Sequence, residues 1–77
     1  MEIKSKLESV LREHKEAGNK ISKGWLASEL GVSRQSITNY IDGKYYPTLD
    51  KALLMARLLD RKVEDIFELK ERESDLQ

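Results

Sequence analysis

Cysteine is absent from the sequence, which excludes disulfides, thiolate metal sites and a cysteine nucleophile together. Histidine occurs once, at His14, so imidazoles and thiols cannot assemble a transition-metal cluster and no cofactor is expected. With a single histidine and carboxylates scattered over solvated faces, no acid–base pair is in view, so neither an enzyme nor a small-molecule substrate is expected. Proline also occurs once, at Pro47, and glycine only at 18, 24, 31 and 43, which leaves long stretches free of helix breakers. No apolar run approaches the roughly 20 residues that a membrane helix needs. The first residues alternate charge with single apolar positions, unlike a signal peptide. A chain of this kind is expected to be soluble and cytoplasmic, with no membrane partner. At 77 residues it should form one domain with a thin core, burying roughly 60% of the surface its unfolded state exposes.

Net charge is also missing, with 14 basic against 14 acidic side chains. A neutral total argues mildly against nucleic acid, but its distribution matters more. Between Lys20 and Pro47, Lys20, Lys23, Arg34 and Lys44 face only Glu29 and Asp42. From Val63 onward the excess is acidic, so the C-terminal region masks a basic middle.

The apolar pattern predicts an all-α chain of five helices. Ile3, Leu7, Val10, Leu11 and His14 recur at helical spacing and predict a first helix over Ile3–Ala17, stopped by Gly18-Asn19. Ser22 caps a second helix ending at Leu30, with Ile21 and Leu26 placed as a hydrophobic staple. Gly31 closes it, and Ser33 caps a third helix almost at once, with Val32 and Ile37 as its staple and Gly43 as its stop. Thr48 can cap a fourth helix over Leu49–Leu59, whose inner stripe reads Leu49, Ala52, Leu53, Ala56 and Leu59. A fifth, Val63–Leu69, would bury Val63, Ile66 and Phe67. The domain is thus expected over 1–69, with a charged, fraying tail at Lys70–Gln77.

Two helices joined through little more than Gly31-Val32 cannot lie antiparallel; a turn that short sets them at a steep angle and holds the second one outward. Ile37, Tyr40 and Ile41 share one face of that second helix, and Arg34, Gln35, Thr38 and Asn39 share the other. Arginine pairs bidentately with guanine, glutamine or asparagine with adenine, and a threonine methyl meets the thymine methyl. The polar face therefore carries the groups that read base edges in double-stranded DNA.

At these residues the chain resembles the lambda-repressor/Cro-like helix-turn-helix (XRE) family. The resemblance is carried by the run from Leu26 to Asn39, by Asp42-Gly43-Lys44 and Pro47, and by the closing Val63-Glu64-Asp65-Ile66-Phe67. It implies a five-helix, lambda-repressor-like domain with the helix-turn-helix in helices 2 and 3, between about Ser22 and Gly43. It implies base contacts from Arg34, Gln35 and Asn39, with Thr38 beside them, and phosphate contacts from Lys23, the second helix's N-terminus and the Lys44-Tyr45 loop. Ser33 and Ser36 complete the DNA-facing set. The implied function is transcriptional regulation of bacterial or phage type, as a repressor dimer on an imperfect palindrome. An antitoxin, a restriction-modification controller, or a protein-interaction module without DNA binding are the alternatives.

Three positions depart from the family pattern. The link Gly18-Asn19-Lys20-Ile21 is long, Ile41 stands where an acidic residue is common, and Asp60-Arg61 replaces a glycine-apolar pair. Trp25 lies one position off the inner stripe of its helix, to fold over the first helix or to serve a partner or DNA backbone contact. Leu54 and Leu58, with Met55 between them, form a second apolar stripe that either packs on helix 5 or meets another chain; in the second case it is, with Leu69, the expected homodimer surface.

Overall fold

The computed structural model describes residues 2–70; beyond Lys70, the expected tail lies outside the described residues. The order is β1 (Glu2–Ser5), α1 (Leu7–Glu16), α2 (Lys23–Leu30), α3 (Arg34–Asp42), α4 (Leu49–Leu59), α5 (Val63–Ile66) and β2 (Phe67–Lys70). Five helices form the body, and a two-stranded antiparallel ribbon joins the ends of the described chain. The all-α expectation is thereby corrected to a mostly helical fold with one small sheet. No described helix is long and apolar enough to cross a membrane.

The core gathers Leu7 and Val10 of α1, Leu26, Ala27 and Leu30 of α2, Ile37 and Tyr40 of α3, Met55, Ala56 and Leu59 of α4, and Ile66 of α5. Ile41 packs against this core, so apolar contact takes the place of the acidic residue that the family favours there. His14 is buried: its Nε2 lies 2.7 Å from the Leu59 carbonyl and its Nδ1 lies 2.9 Å from the Asn19 amide nitrogen. A carbonyl can only accept, so Nε2 carries the hydrogen and Nδ1 accepts from Asn19. The long link after α1 folds back through that contact and through Asn19 N–H donating to the His14 carbonyl at 2.8 Å.

Ile3 and Leu69, expected at the outer ends of helices 1 and 5, are instead partners in the ribbon. Helix 1 starts at Leu7 and helix 5 stops at Ile66, where Phe67 turns extended with φ −130° and ψ 132°. Both segments, Glu2-Ile3-Lys4-Ser5 and Phe67-Glu68-Leu69-Lys70, alternate polar and less polar residues with period two, which suits a strand. Register then sets Glu2 opposite Lys70 and Lys4 opposite Glu68, so both charged pairs are complementary. Lys70 is the last rung of this ladder rather than the first residue of a tail. Lys6 Nζ donates to Glu68 at 3.0 Å and holds its carboxyl below the ordinary 4.5, chiefly through that hydrogen bond.

Helix α4 also differs in rotation from the expected stripe. Ala52, Met55, Ala56 and Leu59 face inward, while Leu49 and Leu53 are 72% and 54% exposed. Met55 is wholly buried, so it cannot serve in an interface; Leu58 packs half-buried on the core, and of the expected stripe only Leu54 is exposed. The segment Ala52-Leu53-Leu54-Met55-Ala56 offers two acceptable stripes, and packing selects the one that buries Ala52, Met55 and Ala56.

Candidate nucleic-acid interface

Helices α2 and α3 are separated by Gly31, Val32 and Ser33 alone. Gly31 ends α2 in the left-handed region at φ 71°, where a side chain would be strained. Val32 follows, donating to the Ala27 carbonyl at 3.0 Å and plugging against the core. Ser33 then caps α3: its Oγ accepts from the Ser36 N–H at 3.1 Å. Ser22 caps α2 in the same way, accepting from the Trp25 N–H at 3.0 Å. The expected caps and stops of α2 and α3 and the Val32 plug are where the residue pattern placed them; Thr48, expected to cap α4, stands at its N-cap position but turns its hydroxyl to the Asp50 carboxylate instead of a backbone N–H.

Ile37 and Tyr40 anchor α3 inward, which turns its opposite side to the surface. Ser33, Arg34 and Gln35 are exposed at its start, and Ser36, Thr38 and Asn39 are half-buried behind them. Gln35 Nε2 donates to Asn39 Oδ1 at 3.2 Å, so the two amides are linked on the face expected to read bases. Arg34 does not extend freely. A Cβ placed on Gly24 would lie 3.7 Å from Arg34 Nε and 3.9 Å from its Cδ, so the arginine passes over the first turn of α2. This contact is invisible in the one-dimensional pattern, where Gly24 reads only as a weak helix residue.

Lys23, Lys44 and Tyr45 are exposed on either side of α3, at the start of α2 and on the loop after Gly43. The structure thus places all nine expected contact residues on this turn, on α3 or immediately beside them. Among the described residues the salt bridges are Lys6–Glu68, Arg12–Glu8 and Arg61–Glu13. Lys23, Arg34 and Lys44 belong to none of them, so the cations around α3 are uncompensated although the chain as a whole is neutral. The described residues hold no group of three His, Asp or Glu that could bind a metal.

Two residues outside this set position it. Ser5 Oγ donates to the Tyr40 carbonyl at 2.6 Å, and Tyr46 donates through its hydroxyl to the Ile3 carbonyl at 3.0 Å. Tyr46 also meets the Phe67 ring edge-on at 5.9 Å. Of the two loop tyrosines, Tyr46 rests against Phe67 at 39% exposure, while Tyr45 is 64% exposed. Trp25 is 40% exposed beside Lys23.

A short capped turn between two helices, the second with a polar outer face, defines a helix-turn-helix protein. The helix-turn-helix family profile matches residues 11–66, most of the chain, and the protein belongs to that family, of the lambda-repressor/Cro (XRE) type. A relative from Methanothermobacter thermautotrophicus, an uncharacterized HTH-type transcriptional regulator, is 42% identical over 67 residues, covering 84% of this chain and 94% of that protein. An uncharacterized HTH-type transcriptional regulator of Methanocaldococcus jannaschii is 50% identical over 42 residues; the match takes in 54% of this chain and 64% of that protein, just under two thirds of its length. Among solved structures, a candidate DNA-binding protein from Bacteroides fragilis superposes with a TM-score of 0.71 at 25% identity, over 84% of this chain and 97% of that one.

Proposed function

We propose that this protein binds double-stranded DNA in a sequence-specific manner as a small transcriptional regulator, with α2 and α3 as its helix-turn-helix and α3 in the major groove. The observation that carries the reading is the outer face of α3. Its N-terminal turn presents Arg34 and Gln35 beside free helix N–H groups, and Lys23, Lys44 and Tyr45 flank it where phosphates would run. Gln35 and Asn39, already joined by a hydrogen bond, form a single amide unit suited to adenine. Ser33, Ser36 and Thr38 fill in the contact surface. One such helix reads only a few base pairs, so the regulator is read as a homodimeric repressor on an imperfect palindrome with half-sites about 34 Å apart. The names of the relatives, transcriptional regulators rather than enzymes, support this reading.

The test is selection of bound duplexes from a random pool, followed by titration of the winner. Lys23, Arg34, Lys44 and two helix N-termini suggest on the order of 3–5 phosphates neutralised per subunit, hence a modest but definite loss of affinity as salt rises. Gln35→Ala and Arg34→Ala should each cost roughly 1–3 kcal/mol at the selected site and relax preference at one base, while Lys44→Ala weakens every sequence alike. A folded Gln35→Ala protein that binds all sites as wild type does would remove α3 from the reading role.

The exposed indole of Trp25 favours a second reading, a protein-interaction module that has kept the fold alone. A gel shift with genomic fragments separates the two, since such a module would leave them unshifted.

A further inference from the structure

A groove of about 1030 Å³ opens between α1, the link that follows it, the first residues of α2 and the last turn of α3. Its apolar lining is Leu11, Ile21 and Ile41, each half-buried and packed on the core with part of its surface left uncovered. Its charged lining has an excess of cations. Lys15, Lys20 and Lys23 are exposed along it, and none of them joins a salt bridge among the described residues. Arg12 and Glu8 pair with each other at 3.3 Å, which leaves Asp42 as the one acidic lining residue facing three lysines. The wall formed by the link is fixed in place: Asn19 is tied to the His14 carbonyl and Nδ1, and the Ile21 N–H donates to the Asn19 carbonyl at 3.1 Å. The long link and Ile41 both depart from the family pattern and neither belongs to the outer face of α3, yet both line this groove.

We propose that this groove binds a small amphipathic anion, its apolar body against Leu11, Ile21 and Ile41 and its phosphate or carboxylate head among Lys15, Lys20 and Lys23. A concavity with an apolar lining and a few convergent charged groups is the usual form of a small-molecule site. Each part of the lining selects one part of the ligand. The uncompensated lysines favour an anion over a neutral or cationic molecule. The uncovered apolar surface favours an anion with a hydrocarbon body over a bare inorganic one, by up to about fourfold for each methylene that leaves water. Lys23 connects the groove to DNA. It also stands among the groups proposed to meet phosphate, so an anion held there withdraws a cation from the duplex. On that account, which rests on the proposed function, the ligand is an effector that releases DNA.

The binding test needs no DNA. Amide chemical shifts of the whole isotope-labelled chain are followed during titration with octyl phosphate. Butyl phosphate, octanol and inorganic phosphate serve as counterparts that shorten the body, lack the head and lack the body. Octyl phosphate should move the amides of Leu11, Lys15, Asn19, Lys20, Lys23 and Ile41 and bind more tightly than butyl phosphate, while octanol and inorganic phosphate move them only weakly. Lys15 and Lys20 are exposed and lie outside the core and outside the proposed DNA contacts, so Lys15→Gln and Lys20→Gln leave the fold intact. Each should weaken octyl phosphate about threefold, and the two together about tenfold. Three results would overturn the proposal: inorganic phosphate binding as tightly as octyl phosphate, shifts centred on Arg34, Gln35 and Lys44 instead of the link, or a double variant that binds as wild type does. A second titration, of a selected duplex, reads the regulation. Octyl phosphate should weaken the wild-type complex several-fold and that of the double variant much less. If the groove binds octyl phosphate while no duplex is selected, the site stands and the DNA reading falls. If the groove binds and the duplex is not released, the site stands and its control of DNA is overturned.

Discussion

Replacing His14 by leucine removes both hydrogen bonds of a buried side chain while largely keeping its packing. Leucine fills similar space but has no donor for the Leu59 carbonyl, one of the acceptors that the end of α4 leaves without a helical partner. No other described group bonds to that carbonyl. Leaving a buried acceptor unsatisfied costs about 1–3 kcal/mol. The second partner, Asn19, is exposed, so in Asn19→Ala water can reach His14 Nδ1 in its place and the cost should be no more than about 0.5–1.5 kcal/mol. A domain of this size has roughly 4–12 kcal/mol in total, so His14→Leu removes a substantial fraction. At about 4–8 °C per kcal/mol the loss is measurable by thermal melting, and urea titration followed by circular dichroism gives the free energy directly. A His14→Leu midpoint equal to wild type, or an Asn19→Ala loss as large as that of His14→Leu, would refute the assignment of the bond as the stabilising element.

Gly24→Ala and Gly31→Ala should shift stability in opposite directions. At Gly24 a methyl meets only ordinary contacts with Arg34 and Ser22, so the gain approaches about 0.5–1 kcal/mol; at Gly31, φ 71° turns the same change into a loss of roughly 1–2 kcal/mol, and paired urea titrations compare them. Acid should weaken the ribbon. The Glu68 carboxyl is held low in the folded state by Lys6, so its contribution is present above its ordinary value of 4.5 and is lost as pH falls through the lower folded value. Lys6→Met should flatten that part of the stability–pH curve, and added salt should do the same, as expected of an exposed pair.

The helical body was legible because its signals are local. Ser22 and Ser33 as caps, Gly31 and Gly43 as left-handed stops, and the Ile37/Tyr40 stripe each depend on neighbours within a turn or two. The ribbon was not, because its strands are only four residues long and their partners lie at opposite ends of the chain. At that length Ile3 fits a helical stripe with Leu7 as well as it fits an alternating strand, and only pairing decides. Helix α4 failed differently: leucine at 49, 53, 54, 58 and 59 makes more than one apolar face, and only the space beneath α2 distinguishes them. Asp60 shows a third kind of limit. It takes the left-handed stop at φ 54°, a role that aspartate fills less often than glycine, so the end of α4 was correctly placed without its usual mark. At the candidate interface the placement of the expected contact residues on or beside α3 was readable, but the path of Arg34 over Gly24 and the Gln35–Asn39 bond are facts of three dimensions.

The ribbon and α3 are mechanically joined, which bears on how two subunits would share one site under the proposed function. Ser5 grips the Tyr40 carbonyl near the end of α3, and Tyr46, on the loop that leaves α3, grips Ile3 and meets Phe67. The ribbon is thus connected to α3 through two hydrogen bonds and one ring contact. Tyr46→Phe removes the hydroxyl's bond to Ile3 and leaves the ring on Phe67, at a stability cost of about 0.5–1.5 kcal/mol. The groups proposed to read bases are untouched, so affinity for an isolated half-site should be unchanged. Cooperativity on the full palindrome should fall, and tolerance for altered half-site spacing should widen, because the two α3 helices are then less firmly set apart. Titrating half-site, full-site and re-spaced duplexes with wild type and Tyr46→Phe measures both effects. Equal cooperativity and equal spacing tolerance in the two proteins would show that orientation of α3 does not pass through the ribbon.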